Sequence, residues 1–190
     1  KSEMWYVLAA EPGAVLAAGF REPVTRARVR EAAMNGDIEQ LLRWWPVRPG
    51  QVYYVPAGTV HTLGAGITVC EIQQNNPVTY RLYDYGRPRE LHLDQALDVL
   101  RLDSHPGPVP AAGERLVSCP HFVTDRLEVT GLKHEPEAGR WRLLIVLEGK
   151  GALSGRRMAP GQVWYVPAGV EPLGIVASER AVLLRTSVPS

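Results

Sequence analysis

The sequence lacks the features that mark several large classes of protein. Its 190 residues include only two cysteines, Cys70 and Cys119, which is too few for a disulfide framework or a paired-cysteine zinc site. No apolar run is long enough to cross a membrane. The 21 basic and 20 acidic residues nearly balance and form no basic block, so we expect neither a nucleic-acid nor a membrane partner. Few cysteines fit a reducing compartment, and we expect a cytoplasmic protein.

Common catalytic motifs are also missing. The chain has no glycine-rich phosphate loop, no Gly-x-Ser-x-Gly nucleophile motif and no dinucleotide-binding fingerprint. Four of its five histidines show no metal-binding spacing, and we expect them to be non-catalytic: His92, His105, His121 and His134. The chemistry must therefore be sought around the fifth histidine.

The most informative feature that is present is a repeat of ten residues. Residues 49–58, PGQVYYVPAG, differ from residues 160–169, PGQVWYVPAG, at a single position. The offset of 111 residues is too long for a solenoid repeat and is typical of two related domains. The first copy leads to His61, whereas the same offset places Pro172 after the second copy. We therefore predict that the scaffold is duplicated and that the chemistry is not.

The residue pattern predicts a mainly β protein made of two jelly-roll lobes. Short runs rich in β-branched and aromatic residues, separated by glycine and proline, indicate strands along most of the chain. One of these predicted strands is TYRLYDYG. The predicted lobes are residues 1–103, with a helical insertion at about 25–46, and residues 115–190, joined by a linker at 104–114 that is rich in proline and glycine.

Three residues of the first lobe are candidates for metal chemistry. His61 follows a tight turn and is either a zinc ligand or a surface histidine. Glu3 shares its strand face with Trp5 and points either into the lobe as a ligand or out to solvent. Glu71 lies in GITVCEIQQ, a strand whose two faces are both mostly apolar. It is either a buried general base, or a group that orients a metal-bound molecule, or a strand-end carboxylate that reaches solvent.

Two arginines are candidates for binding the substrate. Arg81 and Arg87 lie in TYRLYDYGR, where Arg81 alternates with tyrosines. An arginine on such a wall can bind a phosphate or a developing enolate. The alternative is an arginine packed on tyrosine without a catalytic role.

Several strings, in order along the chain, resemble the short bacterial type I mannose-6-phosphate isomerases, which are zinc-dependent proteins with two cupin lobes. The strings are KSEMWYVL, GQVYYVPAGTVHTLGAGITVCEIQQ, TYRLYDYGR and RELHLDQALDVL. The resemblance extends from residue 1 to about residue 100 and continues more weakly to the end. One departure affects the site, because the family usually has Ser-Ser-Asp where this chain has Asn-Asn-Pro at residues 75–77.

The resemblance implies a set of site residues. Glu3 and His61 match two family zinc ligands, and Arg81 matches a catalytic position. The resemblance suggests supporting roles for Lys1 and Glu71. Two further zinc ligands belong to a Gln-Val-His-Pro string, which the family has upstream of the position of Lys1. We therefore expect the chain to be a piece of a longer protein.

The resemblance also implies a reaction, the interconversion of mannose 6-phosphate and fructose 6-phosphate. A proton moves between adjacent carbons of the opened sugar through a negatively charged enediolate. Either Glu71 or a water at the metal serves as the base, and Lys1 holds or delivers a proton. Two alternatives remain open at this point. One is a degenerate protein of two cupin lobes that binds a sugar or sugar phosphate without turnover, and the other is a metal-free interaction module.

Overall fold

The structure, a computed structural model, describes residues 1–110, 112–135, 139–170 and 172–189. The chain folds as two compact units, Lys1–Val109 and Pro110–Ser190. The boundary falls inside the predicted linker, in which Ala111 lies outside the described residues.

The first unit contains two three-stranded antiparallel sheets and a small group of helices. Its strands are β1 (Glu3–Ala10), β2 (Val15–Phe20), β3 (Leu42–Pro46), β4 (Val52–Val55), β5 (His61–Leu63) and β6 (Ile67–Gln73). Its helices are α1 (Arg26–Asn35), α2 (Ile38–Leu41) and α3 (Leu93–Val99). One sheet has the order β4-β1-β6 and the other the order β3-β2-β5.

Alternation along β1 and β4 builds the core between the sheets. Trp5 and Val7 point the same way from β1 and pack with Tyr53 and Val55 of β4. All four side chains are at most 3% exposed. Glu3 is the next residue on this face, so the alternation that buries Trp5 also directs the Glu3 carboxylate inward.

The helical insertion is shorter than predicted. The helical pattern ends at Leu41, and the residues predicted to continue it form β3 instead. Two adjacent tryptophans explain the difference, because large aromatic side chains favour a sheet surface. Trp44 and Trp45 pair with Ala17 and Leu16 of β2, and the Trp45 indole donates a hydrogen bond to the Ala18 carbonyl at 3.3 Å.

The prediction of a strand at TYRLYDYG is wrong. Residues 78–92 form turns and bends without a strand. The cause is local, because Tyr85 takes a left-handed backbone conformation with φ of 54° and Gly86 follows at 72°. Two successive left-handed residues cannot continue a β ladder.

The second unit is almost entirely β. Its strands are β7 (Arg115–Ser118), β8 (Val123–Glu135), β9 (Arg142–Glu148), β10 (Gly151–Leu153), β11 (Arg156–Met158), β12 (Val163–Val166) and β13 (Leu173–Ser187). Leu127, Leu144, Ile175 and Leu183 lie at its centre and are fully buried. The prediction of a mainly β fold with a small helical insertion in the first lobe is confirmed. Within the described ranges, no helix is both long and apolar enough to span a bilayer.

Candidate active site in the first unit

His61 presents one ring nitrogen that is free to bind a metal. It begins β5 directly after the turn at Pro56–Thr59, and its Nδ1 lies 2.8 Å from the Thr59 carbonyl oxygen. A carbonyl can only accept, so Nδ1 carries the hydrogen and the neutral ring has its lone pair on Nε2. Burial lowers the pKa of His61 and favours this neutral form.

The Glu3 carboxylate faces that nitrogen. Its Oε2 atom lies 3.6 Å from His61 Nε2, and Lys1 Nζ lies 3.9 Å from Oε1. Glu3 is only 4% exposed. Burial raises the pKa of Glu3 to about 7. A hydrogen bond to Glu71 and the negative charge of Glu71 raise this pKa further, whereas the positive charge of Lys1 lowers it. A lone pair therefore faces a buried carboxylate, an arrangement that a bound cation would stabilise.

The separation of these two donor atoms fits zinc. In a tetrahedral site with bonds of about 2.0–2.2 Å, neighbouring ligand atoms lie about 3.4 Å apart. The observed 3.6 Å is close to that value. Imidazole and carboxylate are both ordinary zinc ligands. Among the residues that the structure describes, no group of three or more His, Cys, Asp or Glu side chains is arranged to hold a metal, so Glu3 and His61 are a pair of candidate ligands.

Trp5 connects Glu71 to His61. Its indole Nε1 donates to Glu71 Oε1 at 3.3 Å, and its ring meets the imidazole edge-on with 5.3 Å between centroids. The prediction that the Glu71 strand is buried on both faces is wrong, since only Ile72 of β6 is buried and Glu71 is exposed. β6 is an edge strand of its sheet, which explains its lower burial.

A cavity of about 540 Å³ brings most of the candidate residues together. Lys1, Glu3 and His61 line it, and so do Arg81 and Arg87. Glu71 is not among its lining residues. The charged side chains that line the cavity are Lys1, Glu3, Arg81, Asp84, Arg87 and Arg89. Four are basic and two are acidic, so the cavity has a formal excess of two positive charges that favours an anionic ligand.

Arg81 begins a closed loop, Arg81–His92, which we call the arginine loop. His92 closes it, because its backbone N–H donates to the Arg81 carbonyl at 2.8 Å and its Nδ1 accepts from the Arg81 N–H at 3.2 Å. The Arg81 guanidinium donates to the Glu90 carbonyl at 3.0 Å. Arg81 is therefore held by its own loop and not by a sheet, although it still reaches the cavity.

The sequence interpretation missed two cavity residues of the arginine loop. Asp84 is only 4% exposed and binds Arg89 through both carboxylate oxygens, with Arg89 Nε 2.6 Å from Oδ2. Arg87 Nη2 lies 3.2 Å from Asp84 Oδ1, and Arg87 also lies over the Tyr85 ring at 5.4 Å from its centroid. The sequence does show one acidic and two basic residues close together in DYGRPR, which suggests an ion-pair cluster. The strand prediction for this segment hid that suggestion.

Comparisons with known proteins agree with the residue-level resemblance. The chain is 34% identical over 167 residues to the mannose-6-phosphate isomerase of Streptococcus mutans, a match that covers 81% of this chain and 52% of that protein. It is 32% identical over 179 residues to the mannose-6-phosphate isomerase ManA of Bacillus subtilis, covering 87% and 55%. The chain thus spans about half the length of these curated relatives. No protein-family model matches the chain.

Solved structures show the same fold. The crystal structure of the Bacillus subtilis mannose 6-phosphate isomerase matches with a TM-score of 0.87 at 27% identity, over 98% of this chain and 64% of that chain. A structure of the Salmonella typhimurium enzyme bound to its substrate f6p and to zinc matches with a TM-score of 0.74 at 15% identity, over 100% of this chain and 66% of that chain. These likenesses confirm the predicted fold of two cupin lobes.

Proposed function

Because the chain is homologous to the bacterial mannose-6-phosphate isomerases, we propose that the protein is a zinc-dependent aldose–ketose isomerase. Its substrates are mannose 6-phosphate and fructose 6-phosphate, and we expect it to act in the cytoplasm. The observation that carries the proposal is the 3.6 Å approach of His61 Nε2 to the Glu3 carboxylate inside a positively charged cavity.

Glu3 and His61 would hold the zinc ion. When bound, zinc supplies a Lewis acid that polarises the carbonyl oxygen of the opened sugar. Thr59 fixes the His61 tautomer, which is the usual task of a group hydrogen-bonded to a metal-binding histidine. The Gln-Val-His-Pro string that carries two further ligands in the family does not occur in residues 1–190.

The remaining candidates act on charge and protons. The reaction removes a proton from one sugar carbon and returns one to its neighbour, so the side chains must accept and release a proton without net change. Arg81 stabilises the negative charge that develops on the sugar oxygens. The proposed base is either Glu71, which lies against Glu3 but does not line the cavity, or a water that the metal would hold. Lys1, 3.9 Å from Glu3, holds or delivers a proton.

The excess positive charge of the cavity suits a phosphorylated sugar. A phosphate monoester carries about −1.5 to −2 charges at neutral pH, which complements the two uncompensated basic side chains. Arg87 contributes one of these charges and, together with Arg81, is the proposed substrate contact.

Isomerase assays of the purified protein test this proposal. We expect conversion of mannose 6-phosphate to fructose 6-phosphate that a chelator abolishes and added zinc restores. Arg81→Lys should lower kcat by about 10²-fold or more, since removal of a single donor to a developing charge has that effect in other enzymes. Full activity after exhaustive chelation, or in the Arg81→Lys variant, would contradict it.

A second candidate function is binding of a sugar phosphate without turnover. Two observations favour it. The described residues contain only two candidate metal ligands, and residues 75–77 depart from the family pattern. Calorimetric binding of mannose 6-phosphate with no conversion in zinc-supplemented protein would support this function over the isomerase.

A further inference from the structure

The arginine loop contains an ion-pair cluster around a buried carboxylate, and the proposed function assigns no role to two of its members, Asp84 and Arg89. Asp84 is 4% exposed, although half or more of each arginine side chain beside it is exposed, 58% for Arg87 and 50% for Arg89. A carboxylate this buried is costly unless it is paired, so its two arginines are held to it. The cluster borders the same cavity as Glu3 and His61.

Arg89 and Arg87 bind Asp84 in different ways. Arg89 forms a bidentate ion pair, in which its Nε and Nη2 each donate to one carboxylate oxygen of Asp84. Arg87 donates to the Asp84 main chain, with its backbone N–H at 3.0 Å and its Nε at 3.2 Å from the carbonyl oxygen, and its Nη2 lies 3.2 Å from the carboxylate oxygen Oδ1. Only one edge of the Arg87 guanidinium touches Asp84, and its remaining N–H groups have no hydrogen-bond partner among the described residues, so they can bind a ligand.

Other contacts fix the direction in which Arg87 projects. Its guanidinium lies over the Tyr85 ring, which meets the Tyr83 ring edge-on with 5.1 Å between centroids. Asp84 has a single negative charge, and both Arg89 and Arg87 form ion pairs with it. The result is an exposed, oriented guanidinium in a cluster of two arginines and one carboxylate, which keeps a net charge of +1.

We propose that Asp84 and Arg89 are positioning residues that hold Arg87 at the cavity as the contact for the phosphate group of the substrate. The inference rests on the proposed function for the identity of the substrate. It goes beyond that function because it assigns recognition of the phosphate group to Asp84, Arg87 and Arg89 together. The metal ligands and Arg81 take no part in this role. Removal of Asp84 or Arg89 should weaken binding of the phosphate and leave the chemical step largely intact.

Steady-state kinetics of the zinc-loaded protein test the inference. We expect Asp84→Asn and Arg89→Met to raise the KM for mannose 6-phosphate about tenfold while kcat changes less than about twofold. Arg89→Lys should restore part of the loss, since lysine keeps the charge without the fork. Arg87→Met should raise KM at least as much, and Asp84→Asn added to it should have little further effect, because both act through one contact.

The outcomes separate this inference from the proposed function. Additive effects in the Asp84→Asn, Arg87→Met double variant, or a fall in kcat with unchanged KM, would overturn the positioning role while the isomerase stands. If neither the wild-type protein nor any variant converts the sugar, calorimetric titration with inorganic phosphate still tests whether the cluster binds phosphate. Binding that weakens about tenfold in Arg89→Met supports the cluster, and equal binding refutes it. Arg89→Met also provides the test if Asp84→Asn does not fold.

Discussion

The two units contain nearly identical strands, β4 and β12, but opposite charges lie beside them. In the first unit Val55 pairs with Glu3, and the equivalent Val166 of the second unit pairs with Arg142. One strand further, Glu71 pairs with Trp5, whereas Arg185 pairs with Leu144. At both positions where the first unit has a carboxylate, the second unit therefore has a guanidinium.

In the second unit one of these guanidinium groups takes part in a set of internal ion pairs. Arg185 lies 2.7 Å from Asp125 and 2.6 Å from Glu135, which is only 1% exposed. These charges neutralise one another, whereas Glu3 of the first unit has Lys1 at 3.9 Å as its neighbouring cation. Both units keep the apolar residues of the repeated strand, whereas the charges at the two neighbouring positions are opposite.

The largest expected effect tests the ion pairs of the second unit. Arg185→Met should lower the free energy of unfolding by about 3–5 kcal/mol, because it removes the arginine paired with the buried Glu135 and one of the two arginines paired with Asp125. The matched change in the first unit, Glu71→Gln, affects an exposed side chain and should cost less than about 1 kcal/mol. Urea unfolding of both variants measures the difference, and equal losses would show that the two positions do not differ as described.

A smaller effect is expected for the indole groups. Trp5→Phe should cost about 1 kcal/mol from the lost hydrogen bond to Glu71 and weaken zinc binding about tenfold by freeing the groups beside His61. Trp164→Phe is the matched control, since the Trp164 Nε1 is buried and has no partner among the described residues. That control should be neutral or slightly stabilising, and a larger loss there than in Trp5→Phe would contradict the comparison.

The smallest effect is a difference in acid sensitivity. Hydrogen bonds from Arg180 and Arg126 hold the pKa of Glu128 in the second unit at about 2, below the 4.5 of the unfolded chain. The folded state thus binds the proton less readily, and this contribution to stability is present above pH 4.5 and is lost as the pH falls towards 2. Glu128→Gln should flatten that part of the stability curve, as measured by thermal unfolding between these pH values. An unchanged slope would show that the pair contributes nothing.

Local pattern predicted much of the first unit. Alternation in EMWYVLAA placed Glu3 on the face of Trp5 and Val7, and the structure has it there. The sequence could also single out His61, because an otherwise repeated segment differs after the turn. It could not supply the 3.6 Å distance between them, since that depends on two sheets that pack together only in the folded unit.

The failures have physical causes in particular residues. Aromatic and charged residues alternate in TYRLYDYG as they would in a strand, but the left-handed backbone at Tyr85 and the ion pairs of Asp84 override that pattern. The charge exchange between the units was hidden for another reason. Arg142 and Arg185 become the equivalents of Glu3 and Glu71 only through strand register, which no local motif reveals.

Zinc stoichiometry tests the central claim, that Glu3 and His61 bind the same cation, most directly. Metal analysis after dialysis should give one zinc per wild-type chain, and His61→Ala and Glu3→Gln should each weaken zinc binding by more than about 100-fold, beyond the loss typical of an outer-shell partner. Pro172→His, the equivalent position of the second unit, should bind no additional zinc. Zinc retained at full stoichiometry and affinity in either His61→Ala or Glu3→Gln would contradict the account.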